Sequence, residues 1–241
     1  LDTVTGALYP PARYLPPGRG RVLGRYDLPD PPDVASRQFN QVSAFATVMK
    51  TVRLFEERDA LGRPVRWAFP APQLIVLPRA GPGENAVYSR ERGRLEFYYF
   101  RSRVDPRETV YTSLARDIVA HETAHAILDG IAPHLWTAIT PQARGLHEAI
   151  ADLTALLVSI RSNRLRSEVL RQGGGSIEHS SQFSAVGEEF GAARGTGALR
   201  DLKNDLRLSQ VPAADHYRLG EVLSGALYAG VVKMHAAGMK A

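Results

Sequence analysis

The run His121-Glu122-Thr123-Ala124-His125 constrains this chain more than any other five residues. Histidines four apart share one face of a helix, so this segment must be helical for the imidazoles to act together. The preceding residues, Ser113-Leu114-Ala115-Arg116-Asp117-Ile118-Val119-Ala120, contain neither proline nor glycine and read as one helix running into the motif. Leu114, Ile118, His121, His125 and Leu128 fall at helical spacing, which turns both imidazoles inward. Gly130 is the expected stop. Two imidazoles on one face can grip a single metal ion, and the carboxylate between them then reaches a water that the ion activates.

A second helix is expected from Thr140 as N-cap and Pro141 at the first helical position. It continues through Gly145-Leu146-His147-Glu148-Ala149-Ile150-Ala151-Asp152 to Val158. So apolar a helix is buried, and a buried carboxylate needs a partner. Glu148 and Asp152, four apart, point to the same place. In the simplest reading His121, His125 and Glu148 hold the metal, while Asp152 accepts the N–H of a ligating histidine and fixes its tautomer. His147 is the rival third ligand, but beside Glu148 it is expected to face away. Together with His134 and His179 it reads as structural or exposed.

These residues resemble the thermolysin-like zinc metallopeptidases, or gluzincins, whose site is built from two histidines and a glutamate. The resemblance rests on Asp117 through His125, on Glu148-Ala149-Ile150-Ala151-Asp152, and on three weaker matches. Asn85-Ala86-Val87-Tyr88 is similar to the edge strand that holds the substrate backbone in that family. Gly187-Glu188-Glu189 followed by Ala198-Leu199-Arg200 resembles the segment carrying a substrate-binding arginine. Asp215-His216 with Gly220 resembles the segment of a second catalytic histidine. In the family's order these span residues 36 to 235.

The resemblance implies Zn²⁺ as cofactor, Glu122 as general base and His216 as the second catalytic side chain. It makes Asn85, the Ala86 backbone and Arg200 substrate contacts, and Ile118 and Leu199 the lining of an apolar pocket on the leaving side. It also implies a zincin-type two-lobe α+β fold with the active-site cleft between the lobes. The metzincins are set aside, since they need glycine and a third histidine where this chain has Leu128 and Ile131. There are departures from the gluzincin pattern. Asp117 matches one calcium-binding carboxylate, but Ser159 stands where another is expected. Even with Glu188 and Glu189 nearby, the calcium site is therefore expected to be absent or weak. Val211 occupies the place of an aspartate that orients the second histidine, leaving Asp215 as its substitute. Trp136 stands near where a tyrosine helps to bind the oxyanion.

Three segments follow from the pattern along the chain. Residues 1–35 form a Pro-rich extended arm with a short strand at Arg21-Val22-Leu23. Residues 36–135 form an N-terminal α/β lobe containing the motif helix, and 136–241 a mostly helical lobe. The first lobe opens with an amphipathic helix over 36–58, whose core stripe is Phe39, Val42, Phe45, Met49, Val52 and Phe55. Strands are expected at Val65–Phe69, Gln73–Leu77, Ala86–Ser89 and Leu95–Phe100, the last two as a hairpin. Gly173-Gly174-Gly175 reads as a mobile loop.

Composition sets the remaining bounds. The 241 residues, 44% apolar and 23% charged, suffice for one large domain or two small lobes. No apolar stretch reaches the length of a membrane span. The absence of cysteine rules out disulfides and thiolate-bound zinc. No signal peptide is visible, yet the chain begins at Leu1, so both a secreted form trimmed of its leader and a cytoplasmic one are open. The net charge of +5 is scattered rather than blocked, which argues against a nucleic-acid partner. The expected function is zinc-dependent hydrolysis of peptide bonds in a peptide or protein substrate, as an endopeptidase. An exopeptidase or self-processing protease is a second reading. A zinc-bound but inactive domain that holds peptides or a partner protein is a third.

Overall fold

The computed structural model describes Gly6 and residues 8–239, so residues 1–5 and 7 of the expected arm, and 240–241, lie outside it. The chain is α+β, with small sheets in its first half and helices dominating its second. The arm carries a hairpin of β1 (Tyr14–Leu15) and β2 (Arg25–Tyr26), in which Tyr14 faces Tyr26 and the two rings meet edge-on at 5.4 Å. The strand expected at residues 21–23 is not formed. Val22 and Leu23 lie in the connection, 92% and 81% exposed, because nothing covers them, whereas the tyrosines have each other. Gln41 ties the arm down, its side chain accepting from Ala12 N and donating to Pro10 O.

Helix α1 (Arg37–Glu56) starts at Ser36, whose hydroxyl accepts from Phe39 N. Its buried face differs from the expected stripe. Asn40, Ala44, Thr47, Val48, Thr51 and Val52 are inside, while Phe45 is 48% exposed and Phe39, Val42, Met49 and Phe55 are half-buried. Burial of the threonines costs little, because each hydroxyl donates to a carbonyl one turn back, Thr47 to Ser43 O and Thr51 to Thr47 O.

Next come β3 (Ile75–Leu77), β4 (Ala86–Ser89) and β5 (Arg94–Phe97), in the order β3-β5-β4, with β4–β5 the expected antiparallel hairpin. This leaves β4 at the edge of the sheet. The single strand expected over 95–100 divides at Tyr98, whose N–H donates to Asn85 O and whose carbonyl accepts from Thr112 N. Beyond it β6 (Tyr99–Arg101) pairs with β7 (Thr109–Tyr111), a partner too irregular in sequence to anticipate. Residues 65–69 are unpaired rather than a strand. Val65, Trp67 and Phe69 nonetheless pack on the core, with the Trp67 and Phe69 rings stacked.

The motif lies on α2 (Arg116–Ile131), which begins later than expected because Leu114 N closes a turn onto Tyr111 O. Gly130 does not end it. A Cβ there would lie 1.7 Å from Arg66 O, so the residue is glycine to let the 65–69 segment cross the helix. After α3 (Pro133–Thr137), helix α4 (Pro141–Ile160) starts at the expected place, with the Thr140 hydroxyl accepting from Ala143 N. Then follow α5 (Asn163–Gln172), β8 (Ala185–Val186), α6 (Glu188–Arg194), β9 (Arg200–Asp201), paired with β8, and α7 (His216–Gly238). The Gly173-Gly174-Gly175 turn is tied, not loose, since Gly175 N donates to Leu170 O and His235 Nε2 bonds Gly175 O.

Two apolar clusters result. One joins α1, the central strands and α2 around Leu95, Phe97, Val119 and Ile127, and takes Phe190 and Ala193 from α6. The other joins α4, α5 and α7 around Leu156, Val169, Phe183 and Tyr228. Among the described residues no helix is long and apolar enough to cross a membrane.

Candidate metal centre

Helix α4 packs along both α2 and α7, and the centre sits where the three meet. Glycine permits the second contact. A Cβ at Gly220 would lie 2.7 Å from Glu148 Cβ, and one at Gly145 would lie 3.0 Å from Leu219 Cβ. The two helices therefore touch backbone to backbone beside Glu148, which brings the start of α7 to the centre.

There His121 Nε2 and His125 Nε2 are 3.1 Å apart, and Glu148 approaches them at 3.5 and 3.6 Å. Donors held tetrahedrally at about 2.0–2.2 Å from one ion lie about 3.3–3.6 Å from each other. The two Glu148 separations fall on that edge and the imidazole pair lies slightly inside it, so two imidazole nitrogens and the Glu148 carboxylate, which presents Oε2 to His121 and Oε1 to His125, are spaced for a small divalent cation. Glu122 also offers an oxygen within 4.8 Å of both imidazoles. Its Oε2, however, accepts the N–H of Tyr88 at 2.8 Å. Glu148 carries no hydrogen bond of that length and approaches both imidazoles, which makes it the candidate third donor.

Outside this triangle, Asp152 Oδ1 lies 3.0 Å from His121 Nδ1 and accepts from Arg200 Nη2 at 2.8 Å. Arg200 Nη1 is 3.5 Å from Glu148 Oε2. Arg200 is thus drawn into the centre and not solvated with its charged neighbours. His147 corrects the sequence reading. It is buried, and its Nδ1 faces His125 Nδ1 at 3.3 Å, so it backs the second imidazole as Asp152 backs the first. The two helices cross at an angle that lets consecutive residues of α4 reach opposite nitrogens of His125. No helix-wheel argument contains that crossing.

The protonation of this cluster follows from its contacts. Burial alone would lower His121, but hydrogen bonding to Asp152 and Glu148 pushes it up to about 10. Burial, then the charge on His121, drives His125 down to about 3. Burial would raise Glu148, yet its bond to His121 and the nearby cations bring it down to about 2. Glu122 is pushed up by burial, against the pull of His121. The metal-free centre therefore stores a proton on His121 between two carboxylates, where a cation is favoured.

A cleft of about 840 Å³ opens over the centre. Asn85, just before β4, and Ala86 and Tyr88 on it line one side, and Leu199, Arg200, His216 and Tyr217 line it from the C-terminal half, with Ile118 also in its lining. Every sequence-derived candidate thus borders the cleft except Asp152, which stands behind His121. Two details refine those expectations. Asn85 Oδ1 bonds the N–H of Ala86, so side chain and backbone already engage each other. Asp215 caps α7 through Arg218 N, so it holds the helix that carries His216. Asp117 is likewise engaged, accepting from Gly187 N and Ile118 N. Tyr217 is an addition to the expected lining, and Trp136, noted in the sequence, joins it. Trp136 packs edge-on against Tyr88 at 5.1 Å and His147 at 5.4 Å, and Tyr217 lies against His216 at 4.1 Å. Tyr217's adjacency to His216 at a helix start was the only sequence signal for it. No family model, curated protein or solved structure matches the chain.

Proposed function

We propose that this chain is a zinc-dependent peptidase of the thermolysin-like kind, with the two-lobe zincin arrangement around its cleft. One observation carries the reading: two imidazole nitrogens of one helix and the carboxylate of another converge at 3.1, 3.5 and 3.6 Å beneath a cleft bordered by an edge strand. His121, His125 and Glu148 would hold the ion. When bound, zinc supplies Lewis-acid chemistry, bringing the pKa of water from near 16 toward about 7 and polarising a carbonyl.

The rest is the work of the protein's own residues. Glu122 is held by Tyr88 N through one oxygen, leaving the other to take a proton from the attacking water. Its raised proton affinity suits it to return that proton to the departing amine as the C–N bond breaks. The water oxygen ends on the carbonyl carbon, giving a carboxylic acid and an amine. His216 and Tyr217, beside each other at the mouth of α7, are the donors available to the developing oxyanion. Substrate adds to β4 as a further strand through backbone bonds, which confers affinity with little sequence selection. Side chains on β4 alternate, and so do its backbone groups. Tyr88 N is spent on Glu122, so the Ala86 backbone is the next position to face the cleft. Arg200 holds Asp152 and reaches a substrate carbonyl, and Ile118 with Leu199 favours an apolar side chain on the leaving side.

The test is metal analysis of the purified chain together with cleavage of casein by wild type and Glu122→Gln. Zinc near one equivalent in both, with cleavage lost only in the variant, is the expected outcome. Equal cleavage by the two proteins would remove Glu122 from the mechanism, and zinc without cleavage in wild type would leave peptide binding as the function. Mapping products of a denatured substrate separates internal from terminal cleavage.

A further inference from the structure

A second cavity, of about 340 Å³, shares no lining residue with the metal cleft. Its walls are aromatic and its charges all of one sign. Tyr99 and Tyr111 face each other across β6 and β7, with ring centroids 5.9 Å apart, and Tyr9 of the arm joins them. Arg37, Arg79 and Arg101 line the same space. Arg79 lies 4.2 Å over the Tyr111 ring while its Nε donates to Asn40 Oδ1 and its Nη2 to Ala35 O, so its direction is set. Arg37 stacks over Tyr9 at 3.7 Å, and Arg101 donates to Arg107 O.

This concentration of charge works against the fold. Arg37 is the first residue of a 20-residue helix with no acid in its first turn, so a cation stands at the positive end of the helix dipole. Among the described residues no carboxylate lies within 4.0 Å of any of the three guanidiniums. Burial and the neighbouring Arg37 both weaken the proton affinity of Arg79. Sequences that break local rules without internal compensation commonly do so at binding sites.

We propose that this cavity binds a small multivalent oxyanion of the phosphate class, with Arg37, Arg79 and Arg101 as its ligands. Guanidinium forks match tetrahedral oxyanions through paired N–H donors. Three of them exceed what a single carboxylate neutralises. The space exceeds a bare phosphate, and the tyrosine walls suit a planar group attached to it, so the oxyanion is either free phosphate or the phosphoryl group of a nucleoside monophosphate.

Isothermal titration of the full chain at constant ionic strength tests this with inorganic phosphate, adenosine monophosphate and acetate. Saturable 1:1 binding of phosphate, at least tenfold tighter than acetate, is expected. Arg37→Gln and Arg101→Gln should each weaken it about tenfold, while Arg58→Gln, with the same charge change on an exposed residue outside the cavity, should leave it unchanged. Adenosine monophosphate that competes with phosphate and binds more tightly points to the nucleotide, and equal binding to free phosphate. Phosphate binding no tighter than acetate, or equal weakening by Arg58→Gln, would overturn the proposal, as would adenosine monophosphate binding without competition.

Discussion

Glu96 and Glu148 are both buried carboxylates, and they are satisfied in opposite ways. Glu96 accepts from Arg92 at 3.1 Å and Tyr98 at 2.5 Å and also from Arg94, all within four residues on one hairpin. Its oxygens are saturated by groups that only donate to it, and the cluster is closed. Glu148 has no neighbour so close. Two imidazoles from α2 and an arginine from β9 stand 3.5–3.6 Å away, around a gap. A carboxylate that serves structure is closed off by sequence neighbours at short range. Glu148 is held at longer range by several elements, and on the proposed reading the gap between them is where the ion sits.

The sharpest way to break this comparison is to truncate each side chain. Glu148→Ala should abolish stoichiometric zinc binding and lower peptide cleavage more than 10³-fold, while costing the metal-free chain less stability than Glu96→Ala does. Glu96→Ala should keep zinc while losing about 2–4 kcal/mol of stability, because the largely buried Arg94 and the Tyr98 hydroxyl lose their partner. Urea melts of the metal-free proteins and zinc analysis of the loaded ones give both readings. A Glu148→Ala protein that still binds one zinc would show that the gap is not the metal position.

Two glycines extend the comparison to packing. Gly130→Ala forces a Cβ onto Arg66 O, and Gly220→Ala forces one onto Glu148 Cβ. Both overpack a helix contact, and such insertions cost about 1–3 kcal/mol, more where backbone must move. Gly130→Ala should be the more destabilising, yet leave zinc affinity within about twofold. Gly220→Ala should weaken zinc binding about tenfold or more, since Glu148 moves with it. Equal zinc affinity in the two variants would separate the α4–α7 contact from the centre.

The same contrast explains what could be read from the sequence. His121, His125, Glu148 and Asp152 were legible because helical spacing alone puts each pair on one face, and the Thr140-Pro141 start needs only local chemistry. The α+β class followed from the same patterns. Gly130 was misread as a stop because its reason is the carbonyl of Arg66, 64 positions back. The buried face of α1 was misplaced because threonines that satisfy their own hydroxyls can replace phenylalanine inside. His147 was turned outward because the crossing of α2 and α4 is a tertiary fact. The β6–β7 pairing rests on residues as mixed as Arg101 and Thr109, which carry no alternation.

Among the hydrogen-bond partners, Asp152→Asn should weaken zinc binding about 10–100-fold, the usual cost of losing a carboxylate behind a ligating imidazole. Competition with a chelator measures it, and an unchanged affinity would mean that Arg200, not His121, is the true partner of Asp152. The fold should survive, because Asn keeps an acceptor for Arg200.

The smallest effect lies in the metal-free protein, where the two carboxylates leave different marks on stability against pH. His121 is raised from 6.5 to about 10, so between those values the folded chain holds a proton that the unfolded chain has released. Its contribution is complete below pH 6.5 and is lost as pH rises toward 10. His125 and Glu148 are both depressed, and their contributions change only below 6.5 and 4.5, so they are silent in this window. Glu96 is also depressed, and its contribution fades only in acid, below 4.5. The chelated protein should therefore lose several degrees of thermal midpoint between pH 7 and 9.5. The zinc-loaded protein should not, since the ion takes the place of that proton. Asp152→Asn should flatten the chelated curve and Glu96→Gln should leave it unchanged. Parallel curves for chelated and loaded protein would mean that no proton is stored at the centre, and the open carboxylate would then differ from the closed one in geometry alone.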